Sequence, residues 1–284
     1  MKTHYIEATL RDHLSSICEV HPAIKDDLEN HSFIAGGAIT SMMLGEKVND
    51  FDFYFDSLDV VKRIISYFVT AAGLEEGRRG EQAVGKVVMH IGDFTNINQE
   101  VEQRVVFEHS DGIHLPNSNA KFHPRFFTDN AITLTNKTQM IVRFYGTPDQ
   151  VFRNYDFIHC TAHWSLEGGL HIPKLALQSM LTKELYYQGS LYPLCSVLRT
   201  RKFIRRGWKI SAGQMMKMLF QMRLIDFRDR ATLRDQIMGV DMLYMNVFLR
   251  RLDSSVDGDG RPDLSLISQY LDEAFGEDDF EHST

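Results

Sequence analysis

Cysteine, proline and tryptophan are scarce in this 284-residue chain, at 3, 7 and 2 residues, and no uncharged run of about 20 apolar residues occurs anywhere along it. The missing apolar run excludes a membrane-spanning helix. Cys18, Cys160 and Cys195 are odd in number, far apart and never in a CxxC pair, which excludes a disulfide framework and fits reduced thiols in a cytoplasmic protein. The opening residues MKTHYIEATLRDHL are charged and lack an apolar secretory core, so neither secretion nor a membrane location is expected. Positive charge is also short: 31 Lys and Arg stand against 38 Asp and Glu, a net charge of -7. Indiscriminate coating of nucleic acid is therefore excluded, although a local basic groove is compatible with an acidic molecule. Internal repeats and low-complexity tracts are absent.

What is present reads as an α/β half followed by a helical half. Ile6, Leu10, Leu14 and Ile17 recur at helical spacing and predict an opening amphipathic helix from Tyr5 to Val20. Ser32-Phe33-Ile34-Ala35, then Gly36-Gly37, then an apolar run to Gly45, reads as strand, tight turn, short helix and glycine stop. Asp50 to Phe55 alternates in the strand period, and Asp59 to Ala72 is an amphipathic helix started by Ser57 or Asp59. VVMHI, RVVF, AITLT, MIVRF and Tyr155 to Cys160 add short β-rich runs, predicting a mixed sheet covered by helices on one side. Ser110 to His123 reads as a loop. From Pro173 helical periodicity dominates, over Lys174 to Tyr187, Leu191 to Arg206, Ala212 to Leu224 and Leu233 to Leu252. A polar link from Ser254 to Asp263, a last helix over Leu264 to Ala274 and a frayed acidic end follow.

The chemistry concentrates between Gly36 and Asp52. Asp50 and Asp52 flank one residue of a strand, so their carboxylates leave the same face and can grip the same cations. Phosphoryl transfer uses such an arrangement, with one divalent ion at the attacking hydroxyl and another at the triphosphate. Mg2+ or Mn2+ suits an open, oxygen-rich site. Gly36 and Gly37 let the backbone approach a phosphate, the helix after them presents free N-H groups, and Ser41 lies in its first stretch.

Gly36 to Phe53 resembles the signature of the DNA polymerase beta superfamily of nucleotidyltransferases. Its spacing is similar to the head of class II poly(A) polymerases and CCA-adding enzymes, GGxVRDxLLGxxxxDxD, with Thr40-Ser41 where the Arg-Asp pair stands. Arg125 to Ile132 resembles the family's RRDFTINAL segment, with Phe126 replacing its Asp, and the resemblance implies nucleotide contacts at Arg125 and Asn130. Leu198-Arg199 and Lys202-Phe203 resemble the LRxxRF segment at the head-to-body junction. The whole chain also resembles a group of phage-encoded nucleotidyltransferases. The resemblance implies an α+β fold: a nucleotidyltransferase head of mixed β-sheet packed on helices (1–172), an all-helical body (173–275) and an acidic flexible tail (276–284). It implies a third metal-binding carboxylate on a later strand, for which Asp156 fits the order, with Glu108 or Asp93 as substitutes.

The expected activity is template-independent transfer of NMP from an NTP to a hydroxyl, with an RNA 3′ end as acceptor, pyrophosphate as product and two divalent ions as cofactors. Two rival readings stand beside it: transfer to a protein or small molecule, and a non-catalytic nucleotide- or nucleic-acid-binding protein on the same fold. Arg199, Arg201, Lys202, Arg205 and Arg206 crowd one helical stretch with Lys209 and Trp208 nearby. They read as an acceptor or phosphate site in which the indole stacks on a base, or else as a solvated helix face. His159, Cys160 and His163 invite a zinc reading, but a strand sends Cys160 to the opposite face, so structural side chains are the better account. Met215, Met216, Met218, Leu219 and Met222 read as helix core.

Overall fold

A computed structural model describes residues 2–77, 86–96, 98–107, 112–227 and 229–237, with 263, 265, 266, 268, 269 and 272. The expected acidic tail and most of the last expected helix and its link lie outside the described residues, as do Glu108 and the end of the helix expected to reach Leu252. Two compact units divide the chain, Met1–Thr182 and Lys183–Thr284.

In the first unit, helix α1 (Lys2–Val20) and the short α2 (Lys25–Asn30) precede strand β1 (Ser32–Ala35), helix α3 (Gly37–Leu44), strand β2 (Phe51–Phe55) and helix α4 (Leu58–Ala71). Next come β3 (Glu75–Gly77), β4 (Lys86–Thr95), β5 (Val101–Phe107), β6 (Ile113–His114), β7 (Pro124–Phe127), β8 (Ala131–Leu134) and β9 (Thr138–Tyr145). Helix α5 (Pro148–Phe152), a 3-10 turn (Ile158–Cys160), β10 (His163–Ser165), β11 (Gly169–His171) and α6 (Lys174–Thr182) close the unit. Eight strands form one mixed sheet in the order β11-β10-β1-β2-β9-β8-β7-β6. Within it β2 and β9 run parallel, while β1 pairs antiparallel with both β2 and β10.

The helical and strand periods explain the layering. Ile6, Leu10, Leu14 and Ile17 of α1, and Val61, Ile64, Ile65 and Phe68 of α4, are all buried, as are Phe53, Phe55, Met140 and Val142 of the strands. The opposite face of the sheet carries a smaller cluster, Phe33, Ala35, Tyr54, Val151 and Phe152, with Ile141, Phe144 and Tyr155 against it. Alternation puts Asp52 on this second face, with Tyr54 and away from Phe53 and Phe55. Helix α5 is started by a capping box in which Thr147 accepts from the Gln150 backbone and Gln150 returns the bond.

Half-buried His13 of α1 supports the start of β2 and β9. Its ring stacks on Phe51 at 4.1 Å, and its Nε2 shares a 2.9 Å hydrogen bond with Thr138 Oγ1. Burial pushes this imidazole down from 6.5 to about 4. The unfolded chain therefore takes up the proton first as pH falls, so stability present above 6.5 is lost as pH drops toward 4. The difference in urea midpoint between wild type and His13→Gln should move against the wild type as pH falls from 7 to 5; a difference that does not change with pH would remove His13 from this account.

Three sequence expectations are corrected in this unit. Ser110 to His123 is not loop throughout, because Ile113 and His114 pair with Phe127 and Phe126. Tyr155 to Cys160 is not a strand: after a bridge at Phe157 the chain turns through a 3-10 helix. The helix from Lys174 stops at Thr182, where Lys183 takes a left-handed φ of 48°.

In the second unit, β12 (Glu184–Leu185) and β13 (Lys209–Ile210) pair parallel, so this unit is not wholly helical. Its helices are α7 (Pro193–Arg205), α8 (Ala212–Met222) and α9 (Arg230–Ile237). The methionine stripe of α8 is not its core. Met218 is buried, but Met215, Met216 and Leu219 are exposed, as is Phe220. Glutamines occupy the inward face, Gln214 accepting from the Tyr187 backbone and Gln221 bonding both backbone groups of Ser190. Trp208 is 3% exposed and packs on Phe203, so its indole is not free to stack on a base.

Candidate active site

Register alone brings the carboxylates to one place. Asp52 pairs with Ala35 on one side and Gln139 on the other, so these three side chains leave the same face of the sheet. Gln139 Nε2 donates to Asp50 Oδ2 at 3.2 Å, which places Asp50 on that face as well. Ala35 adds only a methyl group beside Asp52 on that face. Immediately after it, Gly36 adopts φ 90° and ψ -143°, a conformation that essentially only glycine takes. A Cβ on Gly36 would lie 3.5 Å from Asp52 Oδ2 and 3.5 Å from the Tyr155 hydroxyl. The glycine turn and the second carboxylate therefore meet directly. Gly37 begins α3 and is exposed, and a Cβ there would meet nothing within 4 Å.

Burial, with Asp50 beside it, raises the Asp52 carboxyl to about 7. Burial, with Tyr54 and then Asp52 adjoining, pushes the Tyr155 phenol well above its ordinary 10. Tyr155 is thus a neutral, largely apolar wall beside a carboxylate that is costly to ionise without a cation. Hard oxygen donors in pairs, with no side chain on Gly36 to fill the space, fit a divalent cation such as Mg2+. Among the described residues no group of three or more His, Cys, Asp or Glu is arranged to hold a metal, so water and phosphate oxygens would complete the shell.

Asp156 does not join Asp50 and Asp52 in a three-carboxylate group; it is buried at 7% exposure, one residue past Tyr155. Asp93 lies on the β4–β5 hairpin, accepting from Gln103 Nε2 at 3.3 Å. Ser41 is buried in α3. Arg125 is exposed at a register shift in β7, 3.5 Å from Asn117 Oδ1. Asn130 accepts the Val142 and Arg143 N-H groups through its carbonyl, three residues along β9 from Gln139. Arg199, Arg201, Lys202 and Arg205 belong to α7 and Arg206 caps it, all within the second unit. His159, Cys160 and His163 do not form a metal cluster either. Gln139 and Tyr155 carry no local sequence signal for this site. Gln139 has only its place in the strand period of TQMIVRF, which sets it beside Asp52 only once β2 and β9 are known to be parallel.

Residues 5–183, which include Gly36, Asp50, Asp52, Gln139 and Tyr155 but not the α7 cations, match the model of the Gabija anti-defense 2 family, Gad2. The chain belongs to that family. No curated protein shows detectable similarity to this Gad2 family member. Among solved structures it is similar to a tRNA-processing enzyme bound to CTP, at 14% identity and a TM-score of 0.40 over 93% of this chain and 58% of that one. It is also similar to the Thermotoga maritima CCA-adding enzyme complexed with tRNA, at 13% identity, TM-score 0.39, and 88% and 56% of the two chains. The Bacillus stearothermophilus CCA-adding enzyme in complex with CTP gives 11%, 0.36, and 77% and 47%. The Gad2 chain thus spans about half the length of these enzymes. Among its described residues no helix is long and apolar enough to cross a membrane.

Proposed function

We propose that this Gad2 family member is a metal-dependent, template-independent nucleotidyltransferase that moves NMP from an NTP to a hydroxyl acceptor and releases pyrophosphate. One observation carries the reading: two carboxylates on one sheet face, Gln139 bonding the first and lying in register with the second, with the Gly36 turn against that second one. Asp50 and Asp52 would hold two Mg2+ ions. When bound, those ions neutralise the triphosphate and lower the pKa of the attacking hydroxyl. The Gly36 N-H is held by the Ala162 carbonyl at 3.3 Å, so the side-chain-free turn leaves room for the phosphate and the first N-H groups of α3, from Gly37 on, receive its oxygens. Gln139 fixes the orientation of Asp50, and the half-buried Tyr155 walls the Gly36 turn beside Asp52. As the acceptor oxygen bonds to the α-phosphorus, the bond to the β-phosphate oxygen breaks, pyrophosphate leaves and the hydroxyl proton passes to solvent.

The acceptor in this reading is an RNA 3′ end; Arg199, Arg201, Lys202, Arg205 and Arg206 form a phosphate-binding stretch within the second unit. A second reading is favoured by the family's description as anti-defense: the acceptor is a hydroxyl on a Gabija protein, and the attached nucleotide blocks it. Incubation with each α-labelled NTP and Mg2+, against total RNA and against purified Gabija proteins, tests both. Labelled RNA supports the first acceptor and labelled protein the second. Failure to label either, with every NTP, would refute the proposed transfer.

A further inference from the structure

The edge hairpin of the first unit carries two histidines that the proposed transfer does not use. β10 and β11 pair antiparallel with His163 directly opposite His171, so both imidazoles leave the same face. Their ring centroids lie 5.1 Å apart with the planes at 44°. Two imidazoles sharing one tetrahedral ion at roughly 2.0–2.1 Å hold their centroids about 5 Å apart, so the ring spacing already present matches a shared ion once one nitrogen of each ring is turned toward it.

The hairpin holds this pair in place. Glu7 of α1 accepts the Leu170 N-H at 3.1 Å, Ser165 Oγ accepts the Gly168 N-H at 3.0 Å, and Trp164 between the two is 1% exposed. Phe33 and Phe152 flank the His163 ring at 5.9 and 5.4 Å, and its Nδ1 is buried with no hydrogen-bond partner. His171 is exposed. Burial, then neighbouring His171, lowers the His163 pKa against the opposing pull of the Thr161 backbone and Asp149, which leaves a neutral ring, the form that binds metal.

We propose that His163 and His171 form a binding site for a late first-row transition ion, zinc foremost, with open positions for water or a phosphate oxygen. Paired nitrogen donors select such an ion and reject Mg2+, so the site is chemically separate from Asp50 and Asp52. Both sites share one sheet face, because His163 registers opposite Ala35 and Ala35 opposite Asp52. Two strand spacings, about 10 Å, separate them.

Zinc titration of the untagged, metal-stripped full chain against a chromophoric chelator, in excess Mg2+, tests the site. The wild type and Asp52→Asn should each bind one equivalent. His171→Ala, which removes an exposed side chain and should leave circular dichroism unchanged, should weaken that equivalent by at least about tenfold. Co2+ substitution should give a visible d-d band in the wild type that His163→Gln and His171→Ala both lose. Equal zinc affinity in wild type and His171→Ala, or no bound equivalent in the wild type, would overturn the proposal.

Discussion

Asp52→Asn should lower nucleotide transfer by at least about 10³-fold and at the same time make the metal-free protein more stable above pH 7. The first effect follows from removing a cation-gripping charge, the second from removing a charge that burial and Asp50 disfavour. With its carboxyl raised from 3.8 to about 7, the folded protein retains a proton that the unfolded chain has released. Stability therefore falls as pH rises through that window, and the fall is complete above about 7. A tenfold change in acidity corresponds to about 1.4 kcal/mol, which bounds the gain from Asp52→Asn at about 4 kcal/mol. Thermal melts in EDTA at pH 5 and pH 8, beside transfer assays in Mg2+, measure both. A variant that transfers normally, or that melts lower at pH 8, contradicts the assignment.

Gly36→Ala should be nearly as damaging to transfer, by a different route. At φ 90° an alanine is strained whatever space surrounds it, at a cost of about 1–3 kcal/mol. The added methyl meets Asp52 Oδ2 and the Tyr155 hydroxyl at ordinary contact distance, so the fold survives, but the gap through which a phosphate approaches is filled. Transfer should fall about 100-fold and Tm by roughly 3–10 °C. Gly37→Ala is the matched control for stability, since its Cβ would meet nothing within 4 Å, and its Tm should stay near that of the wild type. Equal Tm for wild type and Gly36→Ala would show that the strained turn does not exist in solution.

The first unit was largely legible because its signals are local. The strand-glycine-helix unit of β1 and α3 and the stop at Gly45 with φ 73° follow from residues within one turn of each boundary; of the two starts expected for α4, Ser57 or Asp59, the helix takes Ser57 as its N-cap position, although the Ser57 hydroxyl donates to Asp56 and makes no cap bond. The facing of Asp50 and Asp52 follows from the strand period. What resisted reading depends on pairings between distant segments. Gln139 is 89 residues from Asp50, and its role emerges only from the parallel register of β2 with β9. Asp156 fitted the order of a later acidic residue, yet the turn that buries it brings Tyr155 to the glycine instead. Met215 and Met216 of α8 face outward although hydrophobicity ordinarily marks the inward side of a helix. Two glutamines hold that position, each satisfying backbone groups of the segment from Tyr187 to Ser190, an arrangement no helical period announces. Trp208 shows the converse: an aromatic beside arginines suggests stacking on a base, but Phe203 provides its packing partner.

Divalent-ion binding, followed through the electron paramagnetic resonance signal of free Mn2+, tests the carboxylate pair most directly. Titrated into metal-stripped wild type, Mn2+ should lose signal as it binds, more tightly as pH rises through 7 and more tightly again with an NTP present. Asp50→Asn and Asp52→Asn should each weaken the binding by at least about tenfold. The same Mn2+ affinity in wild type and both variants would contradict the account.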